Sequence, residues 1–232
     1  GAGAAGSTVR RCRVILNYVQ GVPAGTTVRG GGLADCTVSD TLVSLNGAYG
    51  WGRIEGFAGS DSTLEDCIIR SHTAYDVLVY GVATYDCVLA GCLVTNNVAM
   101  MPGSIGGGMY GGSAVDCEFV GNRVPAFVFT SPADPTVGSV GGGAFGARLE
   151  RCVLRGNGAR QGSALFSCDA DRCTIFGDGG ESLVAAAAHV DAPGRPNRGR
   201  LSSCIVEQRT PAFGVGILPN GRVDATYTVT QG

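Results

Sequence analysis

The chain has 232 residues, 44% of them apolar and 16% charged, enough for one domain with a hydrophobic core. The net charge is −2 and all 17 basic residues are arginine, with no basic cluster, which argues against nucleic acid as a partner. The longest apolar run, Leu183-Val184-Ala185-Ala186-Ala187-Ala188, is far too short to span a bilayer, and no segment reads as a signal peptide.

A cassette about a dozen residues long recurs eight times along the chain, each copy ending in a cysteine. The first copy runs from Gly1-Ala2-Gly3-Ala4-Ala5-Gly6 to Cys12, and the next ones close on Cys36, Cys67 and Cys92. The fifth opens on Gly106-Gly107-Gly108-Met109-Tyr110-Gly111 and closes on Cys117. The sixth opens on Gly141-Gly142-Gly143-Ala144-Phe145-Gly146 and closes on Cys152. Cys173 and Cys204 end the last two. A glycine lies eleven positions before the cysteine in seven copies, including Gly25, Gly56, Gly81 and Gly162; the last copy has Pro193 there. A fixed unit separated by 24, 31, 25, 25, 35, 21 and 31 residues describes a repeat protein whose loops vary in length.

Each cassette predicts the same local elements. The cysteine and the residue two later (Val14, Val38, Ile69, Val94, Phe119, Leu154, Ile175, Val206) are apolar and share one face of a strand. The residue three earlier (Val9, Leu33, Leu64, Leu89, Ala114, Leu149, Ala170, Leu201) is also apolar but has the wrong parity, so a bend falls between them. Five residues after the cysteine stand Asn17, Asn97, Asn122, Asn157 and Asp178, turn formers that would stack as an amide ladder. No single coil can bury its apolar face, so coils stack. The expected fold is all-β: a right-handed parallel β-helix of about eight coils, three-sided, rising roughly 4.8 Å per coil. Residues 1–232 form one such domain, interrupted by insertions near 124–140 and 185–199. The uncapped alternating end Ala225-Thr226-Tyr227-Thr228-Val229-Thr230-Gln231-Gly232 leads us to expect a fragment or module of a longer chain, able to associate end to end.

Eight of the ten cysteines belong to this ladder, where a buried thiol acts as a small apolar residue. Rung-to-rung spacing would also fall within the disulfide window. Cys87 and Cys168 each lie five residues before a ladder cysteine, so local Cys87–Cys92 and Cys168–Cys173 bonds are candidates. Zinc is unsupported, because the remaining ligands of a recognisable site are missing. No cofactor is expected. Tyr85, Tyr110, Phe145 and Phe166 share one cassette position and would form an aromatic column, either as packing or as a platform for a sugar. Phe127 and Phe129, in the first insertion, are candidates for contact with a partner protein.

The glycine cluster, aromatic, glycine, then Leu-x-Asp/Arg-Cys-x-Val-x-x-Asn resembles the right-handed parallel β-helix repeats of large bacterial surface and secreted proteins, among them the pectate-lyase-like superfamily and polymorphic outer-membrane, autotransporter-like proteins. The resemblance covers nearly the whole chain and is specific for fold rather than activity. It implies an extracellular or cell-surface location. Pectin hydrolases of that superfamily use Asn-Thr-Asp, Asp-Asp, Gly-His-Gly and Arg-Ile-Lys motifs, none of which occurs here. The lyases use a calcium-binding carboxylate cluster and an arginine base. Here Asp35, Asp66 and Asp116 stand before anchor cysteines, but Gly91 interrupts the row and Arg151 and Arg172 continue it, the pattern of a solvated face. His72 fills the asparagine turn position and His189 lies in the second insertion; neither has a nucleophile at triad spacing. The reading is therefore a non-enzymatic, extracellular structural or adhesive β-solenoid serving as stalk, filament or surface display. The alternatives are a polysaccharide-binding or lyase-like β-helix, and an interaction module using the inserted loops.

Overall fold

The computed structural model describes residues 3–124, 139–177, 184–186, 198–208, 216–217, 222–226 and 229–231. Among these there is no helix, and every paired strand is parallel to its neighbour one coil away. The chain is a right-handed parallel β-helix. Each coil visits up to five short sheets in turn. Sheet 1 begins at Ala4–Ala5 and continues through Leu33–Ala34, Gly59–Ser60, Thr84–Tyr85, Met109–Tyr110, Ala144–Phe145 and Leu165–Phe166. Sheet 2 begins at Thr8–Arg10 and sheet 3 at Arg13–Ile15. Sheet 4 holds Tyr18–Val22, Gly47–Gly50, Thr73–Tyr75 and Val98–Ala99, and sheet 5 holds Thr27–Arg29, Arg53–Glu55 and Leu78–Tyr80.

Sheets 1, 2 and 3 have nine rungs each, one more than the cysteine-marked coils. The ninth comes from Arg222–Thr226 and Val229–Gln231, which pair with Arg198–Ser202 and Ile205–Gln208 without a cysteine cassette of their own. In the coil between Cys152 and Cys173, sheets 4 and 5 shrink to single bridges at Gly158 and Gln161. The longer early coils use their extra residues to build sheets 4 and 5.

The bend inferred from parity is a three-residue corner that recurs on either side of sheet 2. A carbonyl at its first position accepts from a thiol or hydroxyl at its third, and the residue between takes a left-handed backbone. At the sheet 2–3 corner these are Glu65, Asp66 (φ 50°) and Cys67, whose Sγ–H donates to the Glu65 carbonyl at 3.1 Å. Aspartate suits the middle position because it tolerates positive φ. The third side chain also accepts the N–H of the rung before: Cys92 N–H donates to Cys117 Sγ at 3.3 Å and Cys12 N–H to Thr41 Oγ1 at 3.3 Å. Cysteine therefore does more here than fill space. It satisfies a buried N–H that the backbone ladder leaves over. Serine should do the same. In the reduced protein Cys117→Val, which strands the Cys92 N–H, is expected to lower stability by roughly 1–3 kcal/mol, and Cys117→Ser by less, as read by urea denaturation with a reductant present.

This corner corrects the cassette register in one copy. Cys36 does not stack on Cys67. It occupies the corner before sheet 2, where its N–H donates to Ser62 Oγ, and so belongs with Cys87 and Cys168. The rung between Cys12 and Cys67 is filled by Thr41, since Ile68 N–H donates to the Thr41 carbonyl and Leu42 N–H to that of Cys12. The inward rows follow: Val9, Val38, Leu64, Leu89, Ala114, Leu149, Ala170 and Leu201 in sheet 2, and Val14, Val43, Ile69, Val94, Phe119, Leu154, Ile175 and Val206 in sheet 3. Leu33 instead points inward from sheet 1. The left-handed glycine of this coil is Gly30 (φ 62°) rather than Gly25 as the counterpart of Gly56 and Gly81.

Beyond sheet 3 the amide ladder is present and longer than the spacing suggested. Asn17, Asn46, His72, Asn97, Asn122 and Asn157 stack in one row. Asn97 Nδ2–H donates to Asn122 Oδ1 at 2.8 Å, and Asn122 Nδ2–H both to Asn157 Oδ1 at 3.1 Å and back to the Val94 carbonyl at 2.9 Å. The glycine triplets also have a packing cause: a side chain at Gly107 would begin 2.4 Å from the Gly142 carbonyl oxygen of the next coil. Asp178 lies outside the described residues.

Candidate functional site

The section of the early coils is concave where sheet 5 turns into sheet 1 at Gly56, Gly81 and Gly106. Outward side chains of the two sheets meet there. From sheet 1, Tyr85, Tyr110, Phe145 and Phe166 form the expected column, with ring centroids 5.0, 5.0 and 5.6 Å apart and planes within 14°. Tyr80 stacks on Tyr110 from the side, at 5.4 Å. Ile105 and Val140 pack against the same rings. Phe145 and Phe166 are 0% and 2% exposed, so their faces are covered by one another and by this row. The column is an accessory core, and only its half-buried Tyr85 end is partly open.

At that end the corner becomes polar. Glu55 is buried, its side chain 3% exposed, and it receives Arg29 Nε–H at 2.9 Å together with Arg53 Nη2–H. Glu55 in turn holds the Arg29 pKa above its usual value, chiefly by charge attraction. Burial raises the pKa of the nearby Asp61, against the pull of Arg29. The Arg53 guanidinium lies 4.1 Å over the Tyr80 ring. Arg53 and Tyr80 face a groove of about 750 Å³ bordered by Trp51, Leu78, Met101 and Pro102. Sequence spacing missed this set. Its signal was available: Arg29, Glu55, Tyr80, Ile105 and Val140 each directly precede a left-handed glycine, which becomes visible once Gly30 replaces Gly25 in the register.

Sheet 4 presents a different surface. Val19, Ala48, Ala74 and Ala99 point inward, so Tyr18, Tyr49, Tyr75 and, beyond the strand, Met100 point out. Leu16 and Leu45 stand at the adjoining corner, and Trp51 follows at the other edge.

The row of charges at the sheet 2–3 corner is Arg11, Asp40, Asp66, Gly91, Asp116, Arg151, Arg172 and Ser203; Asp35 belongs to the other corner, with Asp61 and Asp86. Arg151 grips Asp116 with two hydrogen bonds of 2.7 and 2.8 Å and also pairs with Glu150. Arg172 joins Glu150 at 2.6 Å to Asp171 at 2.8 Å. Arg151 holds the Asp116 carboxyl below its usual pKa, and Arg172 does the same for Asp171. The outward face of sheet 2 beside them is a shallow groove of about 500 Å³ with Arg148, Glu150, Asp169, Asp171 and Arg200. Carboxylates kept ionised by arginine are poorly suited to donate a proton as a general acid.

Cys87 and Cys92 flank the extended strand Val88–Ala90, and Cys168 and Cys173 flank Asp169–Asp171. Five residues of extended chain span about 16 Å, far beyond disulfide reach, and all ten cysteines are free. Burial pushes the Cys87 and Cys168 thiols up to about 12. Among the described residues no cluster of three or more His, Cys, Asp or Glu side chains is placed to hold a metal ion, and no helix is long and apolar enough to cross a membrane. Phe127, Phe129 and His189 lie outside the described residues.

No family profile and no curated protein matches the sequence. Among solved structures, the chain is similar to a variant catalytic domain of a GH87 alpha-1,3-glucanase in complex with tetrasaccharides, at 10% identity and a TM-score of 0.30, over 91% of this chain and 56% of that one. It is also similar to a TibC-catalyzed hyper-glycosylated TibA fragment, at 13% identity and a TM-score of 0.16, over 97% of this chain and 100% of that one. The chain thus spans little more than half of the glucanase domain. At these scores neither likeness bears on activity.

Proposed function

We propose that this chain is an extracellular structural or adhesive β-solenoid, non-enzymatic, which makes contact through the outer face of sheet 4. The observation that carries this reading is the concentration of exposed apolar side chains on one side of the rod. Leu16, Tyr18, Leu45, Tyr49, Trp51, Tyr75 and Met100 are between 46% and 73% exposed and lie on neighbouring rungs. A contiguous apolar patch of this kind marks an interaction surface. The arginine-locked carboxylates of the sheet 2–3 corner support a scaffold role in preference to acid catalysis. A second reading, polysaccharide binding, has its own support: Trp51 borders both this face and the groove holding Arg53 and Tyr80, a flat ring beside hydrogen-bond donors.

Trp51 is the only tryptophan and is 73% exposed, so its fluorescence reports directly on this face. Titration with soluble polysaccharides, and separately with increasing concentrations of the protein itself, is expected to shift its emission to the blue in at least one arm. The double variant Tyr49→Ala/Tyr75→Ala is expected to weaken that response about tenfold or more while leaving thermal unfolding nearly unchanged, since both rings are half exposed. Release of new reducing ends or unsaturated sugar from any polysaccharide would overturn the non-enzymatic reading.

A further inference from the structure

We propose that the cysteine column at the sheet 2–3 corner oxidises pairwise into three inter-rung disulfides, Cys67–Cys92, Cys117–Cys152 and Cys173–Cys204, leaving Cys12, Cys36, Cys87 and Cys168 as thiols. The two corners flanking sheet 2 differ in one respect that matters for this chemistry. At the corner before sheet 2, Ser62 separates Cys36 from Cys87, and Gly112 and Ala147 separate Cys87 from Cys168, so no two of these thiols are neighbours. At the corner after it, cysteine occupies six consecutive rungs. Each stacks directly on the next, because Leu93, Glu118, Val153, Thr174 and Ile205 N–H donate to the carbonyls of Cys67, Cys92, Cys117, Cys152 and Cys173, and the N–H groups of Cys92 and Cys152 reach the sulfurs of Cys117 and Cys173 at 3.3 and 3.4 Å. Thr41 ends the run on the N-terminal side and isolates Cys12. Six thiols in a line can all be paired with a neighbour in one way only, the one named above.

Rung spacing of about 4.8 Å lies within the Cα window for a disulfide. The cysteines sit at corners and not within strands, so their Cβ atoms can approach without breaking a ladder. Losing the S–H donors also leaves no orphan carbonyl. The Glu65, Ala90, Val115, Glu150, Asp171 and Ser202 carbonyls that accept from these thiols each also accept a backbone N–H from the previous coil. The reaction needs a disulfide oxidant, such as oxidised glutathione. One cysteine thiolate attacks it and expels one small thiol. The neighbouring thiolate then attacks the mixed disulfide and expels the second, so two protons and two electrons leave each pair. The folded thiols are only 1–2% exposed, which places the exchange at the stage when coils close.

The test does not depend on the adhesive reading. The reduced chain is unfolded in guanidinium, refolded in a glutathione redox buffer and quenched with acid. Thiols are then counted with a maleimide in denaturant, on soluble and pelleted protein alike, and linked peptides are mapped by mass spectrometry. The expected result is a loss of about 6 Da, four reactive thiols and the three named links. In Cys117→Ser the Cys67–Cys92 bond should persist, Cys152 and Cys204 should compete for Cys173, and two bonds should form instead of three. Ten reactive thiols after oxidising refolding, or links that involve Cys36, Cys87 or Cys168, would overturn the proposal.

Discussion

Truncating Phe145 to alanine should destabilise the protein by about 3–5 kcal/mol, the range for deleting a buried aromatic ring and leaving a cavity. The ring is 0% exposed and sandwiched between Tyr110 and Phe166, with centroids 5.0 and 5.6 Å away. Its removal opens a gap along the rod axis that neighbouring coils cannot close, because their separation is set by backbone hydrogen bonds. Tyr85→Ala, at the half-open end of the column, should cost less than half as much in the same urea titration. The pair of variants separates packing from recognition. If the column were a sugar platform, Phe145→Ala would reduce polysaccharide retention with little change in the unfolding midpoint.

His72→Asn is expected to remove a pH-dependent weakness from the amide ladder. His72 is fully buried, and burial lowers its pKa to about 4 from 6.5. It is therefore neutral in the fold, its Nδ1 accepting the Asn46 N–H while its backbone N–H donates to Asn97 Oδ1; the ring's Nε2 is buried without a partner. The unfolded chain takes up a proton below pH 6.5 that the folded chain refuses. The stabilising difference is thus complete above that pH and falls away as pH drops toward 4, a loss of about 3 kcal/mol. Asparagine does not titrate, so the variant should keep its stability through this window relative to wild type. At neutral pH it should gain about 1 kcal/mol by continuing the donor–acceptor chain of Asn46 and Asn97. Unfolding midpoints of both proteins at pH 7, 5.5 and 4.5 check both statements; parallel curves would contradict the burial argument.

Much of the fold was legible in spacing alone because a solenoid repeats one local problem. Cys67, Cys92, Cys117, Cys152, Cys173 and Cys204 mark the same corner, and the apolar residues before and after each line the same two sheets. The Cys36 coil was misread for a physical reason. Both corners flanking sheet 2 use a small donor after a left-handed residue, so cysteine fits either, and Thr41 replaces cysteine where the pattern expected it. A five-residue slip resulted, which displaced Gly30 and hid Asn46 from the ladder. The Cys87–Cys92 and Cys168–Cys173 pairs failed because proximity in sequence along an extended strand means distance in space.

By itself the sequence determined what is local and periodic: an all-β coil, its inward rows, its asparagine turns and its aromatic column. Only the tertiary structure decided which outward residues meet. Whether Tyr110 and Phe145 are open or sealed depends on the concave turn between sheets 5 and 1. The Glu55 anchor for Arg29 and Arg53, the exposed face around Tyr49 and Trp51, and the unbroken run of six thiols all arise from side chains one coil apart. Loop length sets which residues stack across that interval, and loop length varies from coil to coil.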